Sequence, residues 1–253
     1  MSLLRIEIDG RHPSTEELWS TASGYGHFTA MQVRRRRTRG LALHLRRLTA
    51  TTREMFGAEL DDARVRELIR HALEDVEDAS VRVYVFESDE EPAIMVTVKP
   101  PGAVTTPQRL QAVRYQRPDA HLKHLATEQG FYSRLARRNG FDDALLTAPD
   151  GSVAESATAN IGFFDESGVI WPDAPLLRGI TMQLLEVQLS ELGMTSRRAP
   201  VRVQEIASFD GAFLSNARGV AGVSRVDAEP LGIDVERMTK ITDAYASVPW
   251  DAI

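Results

Sequence analysis

Short strand-like segments alternate with turn-forming residues between positions 143 and 168, and no other feature constrains the fold of this chain as strongly. Their order is ALL at 144–146, PDGS at 149–152, VAES at 153–156, IGFF at 161–164 and DESG at 165–168. Pro, Asp, Gly and Ser favour turns, and short apolar segments between turns are typical of β-hairpins. The middle of the chain is therefore predicted to form a sheet built from hairpins. Strands are also predicted at 40–43 and 201–206.

A helix is predicted soon after these hairpins, at residues 182–193. One of its faces carries three leucines, Leu185, Leu189 and Leu192. Thr181 is expected to cap its start and Gly193 to end it. The preceding segment, LRGIT at 177–181, places a glycine before the helix, and a helix start that follows a glycine offers unpaired N–H groups to a phosphate.

A single carboxylate, Glu155, lies on a predicted strand among small and apolar residues. A half-buried carboxylate needs a positive or protonated partner. A phosphate-binding turn, a partnered carboxylate and an upstream lysine together suit pyridoxal phosphate (PLP), with the lysine as its Schiff-base partner and the carboxylate on its ring nitrogen. Taken alone, these residues are also compatible with an ordinary loop-to-helix junction.

Lysine is rare in this chain: only Lys99, Lys123 and Lys240 are lysines among 30 basic residues. Lys99 follows a predicted strand and precedes two prolines, and Lys240 lies in a predicted amphipathic helix, so both are interpreted as solvent-facing. Lys123 lies between a proline-containing connection and a helix, where a surface lysine with a buried stem is the alternative. Any Schiff-base chemistry is predicted to use Lys123.

Two segments resemble the class IV PLP enzymes, a family of branched-chain aminotransferases, D-amino-acid aminotransferases and aminodeoxychorismate lyases. VAESATANIGFF at 153–164 is similar to the family's V-x-E-x-x-x-x-N-[IL]-F strand pair, and LRGIT at 177–181 to its phosphate-binding turn. The resemblance implies an α/β (α+β) fold of type IV, with a small N-terminal α/β domain at 1–118 and a larger, β-rich C-terminal domain at 119–253. It also implies a cofactor cleft between the two domains.

The resemblance assigns roles to individual residues. Lys123 corresponds to the Schiff-base lysine and Glu155 to the partner of the ring nitrogen. HLRRL at 44–48 matches the family's H-x-x-R-L helix start. The phosphate and cofactor ligands implied in this way are Arg47, Gly179, Ile180, Thr181, Asn216 and Ala217. The candidates to face the substrate are Tyr25, Thr29, Gln32 and Arg218.

Two departures from the family pattern stand out. Many members carry a tyrosine shortly after the lysine, whereas ATE occupies residues 126–128 here and Tyr132 comes about one turn later. Many members also have a hydroxyl where Ala217 stands. These differences bear on the electronics of the ring and on phosphate binding, respectively.

Composition and charge bound the remaining possibilities. The length of 253 residues and an apolar share of 43% suit a sizeable globular core, and a net charge of −6 argues against nucleic-acid binding. The arginine run at 34–37 is therefore interpreted as a solvated hairpin turn. Without cysteine, thiolate metal sites and Cys nucleophiles are excluded, and no metal site is predicted. The first ten residues lack a signal-peptide pattern, no segment reaches transmembrane length, and a cytoplasmic enzyme is expected.

Three hypotheses for function follow. The first is an aminotransferase that moves an amino group between an amino acid or amine and a keto acid through Lys123. The second is a lyase similar to aminodeoxychorismate lyase, which eliminates pyruvate, and the third is a protein with the same fold but no turnover. The family resemblance implies a homodimer in each case.

Overall fold

A computed structural model describes residues 3–22, 25–87, 91–103, 106–125 and 127–253. The chain divides into two compact units. The first comprises Met1–Gly102, Leu122–Ala126 and Pro249–Ile253, and the second comprises Ala103–His121 and Thr127–Val248. In the described residues, no helix is both long and apolar enough to cross a membrane.

The first unit contains a four-stranded antiparallel sheet, a two-stranded sheet and three helices. The four strands, in the spatial order β1-β5-β4-β2, are β1 (Arg5–Ile8), β2 (Gly26–Val33), β4 (Ala79–Phe86) and β5 (Ala93–Lys99). The remaining elements are α1 (Thr15–Thr21), β3 (Arg37–Arg39), α2 (Leu41–Phe56), α3 (Asp62–Leu73) and β15 (Trp250–Ala252), which pairs with β3.

The core of this unit lies between the four-stranded sheet and helices α2 and α3. Strand β2 alternates: Thr29, Met31 and Val33 are buried, whereas Phe28 and Gln32 on the other face are half-buried. Met31 and Val33 belong to a cluster that includes leucines of both helices. The two faces of β2 therefore have different surroundings, which matters for its predicted site residues.

A short segment that contains Lys123 extends the four-stranded sheet at the edge formed by β2. The Phe28 N–H donates to the Lys123 carbonyl at 3.0 Å, and the Leu125 N–H donates to the Gly26 carbonyl at 2.8 Å. The side chains of Lys123 and Leu125, two residues apart in this extended segment, lie on one face of it. By contacts, this segment belongs with the first unit. The domain boundary after residue 118 stays a prediction.

The second unit is organised around a nine-stranded mixed sheet in the order β11-β10-β9-β12-β13-β6-β7-β8, with β14 beside β13. The strands are β6 (Gln108–Arg114), β7 (Asp143–Thr147), β8 (Val153–Ser156), β9 (Asn160–Asp165), β10 (Gly168–Pro172), β11 (Thr195–Ala199), β12 (Gly211–Asn216), β13 (Gly219–Val226) and β14 (Glu229–Pro230). The helices are α4 (Gln129–Arg138), α5 (Ile180–Glu191), α6 (Val235–Ser247) and a 3₁₀ helix at Val203–Ser208.

Apolar clusters line both sides of this sheet. One contains Leu110, Ile161 and Phe163, and another joins strands β9, β10 and β12 to helices α5 and α6 through Trp171 and Phe213. The hairpins predicted between 143 and 168 are present as antiparallel pairs of β7 with β8 and of β9 with β10. The sheet therefore holds the turns that connect these strands in defined positions.

Three local predictions were wrong. Residues 40–43 were expected to form a strand, but Gly40 adopts a left-handed conformation with φ 69° and helix α2 begins at Leu41. Residues 201–206 were also expected to form a strand, and a 3₁₀ helix begins at Val203 instead. Helix α5 begins earlier than predicted, so Thr181 lies inside its first turn and Gly179 is the N-cap.

The arginine run does form the predicted hairpin turn. Arg34 and Arg37 exchange backbone hydrogen bonds of 2.9 Å, and both central residues, Arg35 and Arg36, have positive φ. The Arg35 N–H donates to Asp78 Oδ1 at 2.9 Å. Such a turn suits an antiparallel hairpin because its twist matches that of the strands.

Candidate active site

Lys123 is the only lysine whose amino group lies over an aromatic ring among the described residues. Its Nζ is 4.8 Å from the centroid of the Phe28 ring. Phe28 stacks on Tyr84 at 5.4 Å, and Tyr84 stacks on Phe86 at 6.3 Å. Leu125 packs against the same aromatic cluster. These contacts hold the half-buried lysine beside the Phe28 face of β2.

Arg47 lies on helix α2, one turn after the buried His44. The His44 Nδ1 is hydrogen-bonded to Thr29 Oγ1 at 2.6 Å. Burial lowers the pKa of His44 to about 3, and the charges of Arg47 and Lys123 act in the same direction. His44 is therefore uncharged at neutral pH, and it lies within electrostatic reach of the two cationic site candidates, Arg47 and Lys123.

The substrate-facing candidates of the first unit have different surroundings. Thr29 is fully buried on the helix-facing side of β2, where it bonds His44. Gln32 lies on the Phe28 side, and its amide group bonds Ser80 Oγ and the Gly102 N–H at 3.0 and 2.9 Å. Tyr25 is half exposed and packs against Phe56 at 5.7 Å. The strand thus separates Thr29 from Gln32, and the roles of all three candidates toward substrate stay predictions.

Glu155 is buried and paired with an arginine that the sequence did not single out. Arg117 Nε donates to Glu155 Oε1 at 2.9 Å, and the two side chains are 3% and 8% exposed. Arg117 also donates to the Ala120 carbonyl, and the Leu177 N–H approaches the same Glu155 oxygen at 3.4 Å. The partner required for a buried carboxylate is thus present in the fold itself.

Asn160 holds the turn that precedes helix α5. Its Nδ2 donates to the Leu177 carbonyl at 2.7 Å, and its Oδ1 accepts from the Gly179 N–H at 3.0 Å. A Cβ on residue 179 would lie 2.1 Å from Asn160 Oδ1, so only glycine fits here. Ile180 and Thr181 follow as buried residues of the first helical turn. Gly179, as the N-cap, has no side chain with which to occupy the N–H groups of that turn.

The loop after strand β12 is tied to the turn between β8 and β9. Asn216 Nδ2 donates to the Thr158 carbonyl at 3.1 Å, and the Arg218 N–H donates to Asn216 Oδ1 at 2.8 Å. The buried Ser215 Oγ has no hydrogen-bond partner among the described residues. Ala217 is half-buried and the Arg218 side chain is exposed. Strand β12 thus carries a buried hydroxyl at Ser215, two residues before the position at which many family members carry one.

These residues fit a phosphorylated pyridine cofactor. A glycine at the N-cap leaves the N–H groups of the first turn of α5 suited to a phosphate. Glu155, held by Arg117, is a buried carboxylate of the kind that would accept a hydrogen bond from a ring N–H. In the first unit, Lys123 and Arg47 are both close enough to His44 for their charges to lower its pKa. The second connects its predicted cofactor residues through hydrogen bonds made by Asn160 and Thr158.

The residues that sequence reasoning missed have physical reasons for being missed. Arg117 is one of many arginines, and only the fold shows that its guanidinium is buried. Asn160 lies within the VAESATANIGFF motif, so the motif indicated that this position matters. The residue type alone did not show that its side chain holds the turn before helix α5.

The segment that departs from the family pattern is tied to a pair of tyrosines. Tyr132 packs against Tyr115 at 4.8 Å, and Tyr115 Oη accepts from the Glu128 N–H at 3.1 Å. Ala126 of the segment 126–128 lies outside the described residues. The position of the Tyr132 ring is therefore explained by its packing on Tyr115.

Comparison with known families gives one extended match. The family model described as "Amino-transferase class IV" matches residues 26–226. The match therefore spans most of the chain and includes every predicted cofactor residue, from Arg47 to Ala217.

Individual relatives are more distant. The chain is 32% identical over 98 residues to a probable branched-chain-amino-acid aminotransferase of Rickettsia felis, covering 38% of this chain and only 33% of that relative's length. A hypothetical aminotransferase from Mycobacterium tuberculosis in its PLP-bound form superposes with a TM-score of 0.82 at 20% identity, covering 97% and 99% of the two chains. A putative 4-amino-4-deoxychorismate lyase from Legionella pneumophila gives 0.80 at 20% identity, covering 90% and 93%. At these identities the structural matches establish the fold.

Proposed function

Because this chain belongs to the amino-transferase class IV family, we infer that it is a PLP-dependent aminotransferase. It would move an amino group between an amino acid or amine and a keto acid. The observation that carries the proposal is the placement of Lys123, whose amine lies 4.8 Å from the centre of the Phe28 ring. Lys240 instead pairs with Glu236 on the exposed side of helix α6, and Lys99 ends strand β5.

The roles proposed for the other residues rest on the family resemblance, and the contacts of Glu155 and Gly179 support them. When bound, the cofactor supplies an aldehyde that bonds amines and a ring that withdraws electrons from the substrate Cα. Lys123 would hold the aldehyde through its amine and would move the substrate Cα proton as a general base. Glu155 holds a proton on the ring nitrogen, with Arg117 fixing the carboxylate. Arg47 and the first turn of α5, at Gly179, Ile180 and Thr181, bind the phosphate.

A substrate with an apolar side chain suits the surroundings of Lys123. The Phe28, Tyr84 and Phe86 rings form a continuous aromatic surface beside the amine. The relatives named as probable branched-chain aminotransferases point to the same substrate class. Gln32, on the Phe28 side of β2, remains a proposed substrate-facing residue, as do Tyr25, Thr29 and Arg218.

The proposal includes an assembly and a location. The enzyme would be a homodimer, as the family resemblance implies, and we propose that it acts in the cytoplasm. Sedimentation equilibrium would test the dimer, with a mass of one chain, 28.1 kDa, as the contradicting result. Fractionation of cells that express the chain would test the location.

Spectral titration of the PLP-loaded protein tests the function. An aminotransferase should lose its yellow colour when a branched-chain amino acid is added and regain it when a keto acid follows. A protein that releases pyruvate from an aminodeoxychorismate-type substrate, with no keto-acid requirement, would instead be a lyase. Colour that no amine discharges would indicate a binding protein without turnover.

A further inference from the structure

A buried carboxylate, Asp143, holds the turn between strands β8 and β9. Asp143 is the first residue of β7 and is 2% exposed. Its Oδ2 accepts three hydrogen bonds, from Ser156 Oγ at 3.0 Å, Thr158 Oγ1 at 2.7 Å and the Thr158 N–H at 3.1 Å. Such a set can order a turn that carries no glycine or proline.

The turn held by Asp143 lies between two residues of the candidate site. Glu155 and Ser156 end β8, and Asn160 begins β9. Within the turn, the Ser156 N–H donates to the Ala159 carbonyl at 2.8 Å, and the Ala159 N–H donates to Ser156 Oγ at 3.0 Å. The conformation of residues 156–159 therefore sets the spacing between the carboxylate at 155 and the amide at 160.

The same turn also anchors the loop after β12. The Thr158 carbonyl accepts from Asn216 Nδ2, while the Thr158 N–H and hydroxyl both donate to Asp143. Asn160 in turn holds Leu177 and Gly179 ahead of helix α5. Three chain segments that carry predicted cofactor residues are thus connected to one buried carboxylate.

We propose that Asp143 is a positioning residue for the cofactor, acting through the turn at 156–159 on Glu155, Asn160 and Asn216. The inference rests on the proposed function, because these three residues matter to a cofactor only if one binds. Asp143 is hydrogen-bonded to other residues of the turn and not to Glu155, Asn160 or Asn216. Replacing Asp143 would therefore change the distances between these three residues without removing any of their side chains.

Cofactor affinity in matched variants tests the proposal. The variants are Asp143→Ala, Asp143→Asn, Thr158→Val, which deletes one of the three donors, and the control Asp142→Asn. Asp142 is the adjacent carboxylate, and it pairs with Arg109 instead. The measurements are the Kd for PLP by absorbance titration, the visible circular dichroism of the bound cofactor, and the thermal unfolding of each cofactor-free variant.

We expect Asp143→Ala to weaken PLP binding about tenfold and to reduce the visible dichroism, with Asp143→Asn and Thr158→Val each weakening it about threefold. Asp142→Asn should bind PLP like the parent. Folded variants at Asp143 and Thr158 that all bind PLP with the parent's Kd and dichroism would overturn the inference and leave the function standing. If Asp143→Ala does not fold, the other two variants decide. A parent protein that binds no PLP overturns the proposed function and the inference together.

Discussion

At the scale of single residues, a candidate functional residue could be predicted where its type was rare in the chain or unusual among its neighbours. Lys123 could be singled out because the chain has only three lysines, and Glu155 because a carboxylate among apolar residues needs a partner. The second partner of Glu155 was not predictable, since arginines are abundant and only tertiary structure buries Arg117. The ring nitrogen of a cofactor was the expected partner, and the fold adds a guanidinium 2.9 Å from the same carboxylate.

Replacing Arg117 by methionine should destabilise the second unit strongly. The change removes the cationic partner of a buried carboxylate, and breaking a buried ion pair costs about 3 kcal/mol or more. Urea denaturation of the variant measures this loss in the free energy of unfolding. Arg109→Met is a matched control, because it breaks an exposed pair with Asp142 that contributes about 1 kcal/mol at most. Equal stability of the two variants would contradict the role assigned to Arg117.

At the scale of elements, strands in the hairpin region were predictable and the start of helix α2 was not. A short apolar run such as LAL at 41–43 fits a strand or a helix equally well. In the fold, the start of this helix is in contact with a segment that is distant in the sequence. The Leu41 N–H donates to Asp251 Oδ2 at 2.8 Å, and β15, which carries Asp251, pairs with β3. The helix that carries Arg47 thus receives its cap from a strand at the far end of the chain.

Asp251→Ala should therefore loosen the first turn of helix α2. Loss of a capping aspartate costs about 1 kcal/mol. Hydrogen exchange should show faster exchange at the amide of Leu41, whereas the start of α3 stays protected. Asp61→Ala, which removes the side-chain cap from Ala63 in α3, should give the reverse pattern. Unchanged exchange at Leu41 in Asp251→Ala would exclude this cap as a determinant of the helix start.

At the scale of the whole molecule, the mixture of strands and helices was predictable but the order of the strands was not. Strand β12 lies antiparallel to β9, and β13 lies parallel to β6, and both pairings join strands that are not consecutive in the chain. Likewise, only the fold shows that residues 122–125 and 249–253 pack with the first unit. Such pairings depend on packing across the molecule, which local patterns do not encode.

The stability of the folded chain should fall on mild acidification. Burial lowers the pKa of His27 to about 4, and the pKa of His44 lies at about 3, both below the ordinary value of 6.5. Between these folded-state values and 6.5 the unfolded state binds more protons than the folded state, so stability rises with pH in this window. Each histidine contributes about 1.4 kcal/mol per pH unit.

Urea midpoints measured against pH check this dependence. The slope should become less steep in His27→Gln, because one of the two buried histidines no longer titrates, and it should keep its full value in His12→Gln, an exposed control. Identical slopes in the two variants would contradict the assignment.

Lys123 is the residue proposed to bond the cofactor. Borohydride reduction of the PLP-loaded protein, followed by peptide mass spectrometry, tests it most directly because Lys99 and Lys240 are the only other lysines. We expect a phosphopyridoxyl group on the peptide that contains Lys123 and none on the peptides that contain the other two lysines, with no label in Lys123→Ala. A label on Lys99 or Lys240, or an unlabelled Lys123 in a protein that binds PLP, would contradict it.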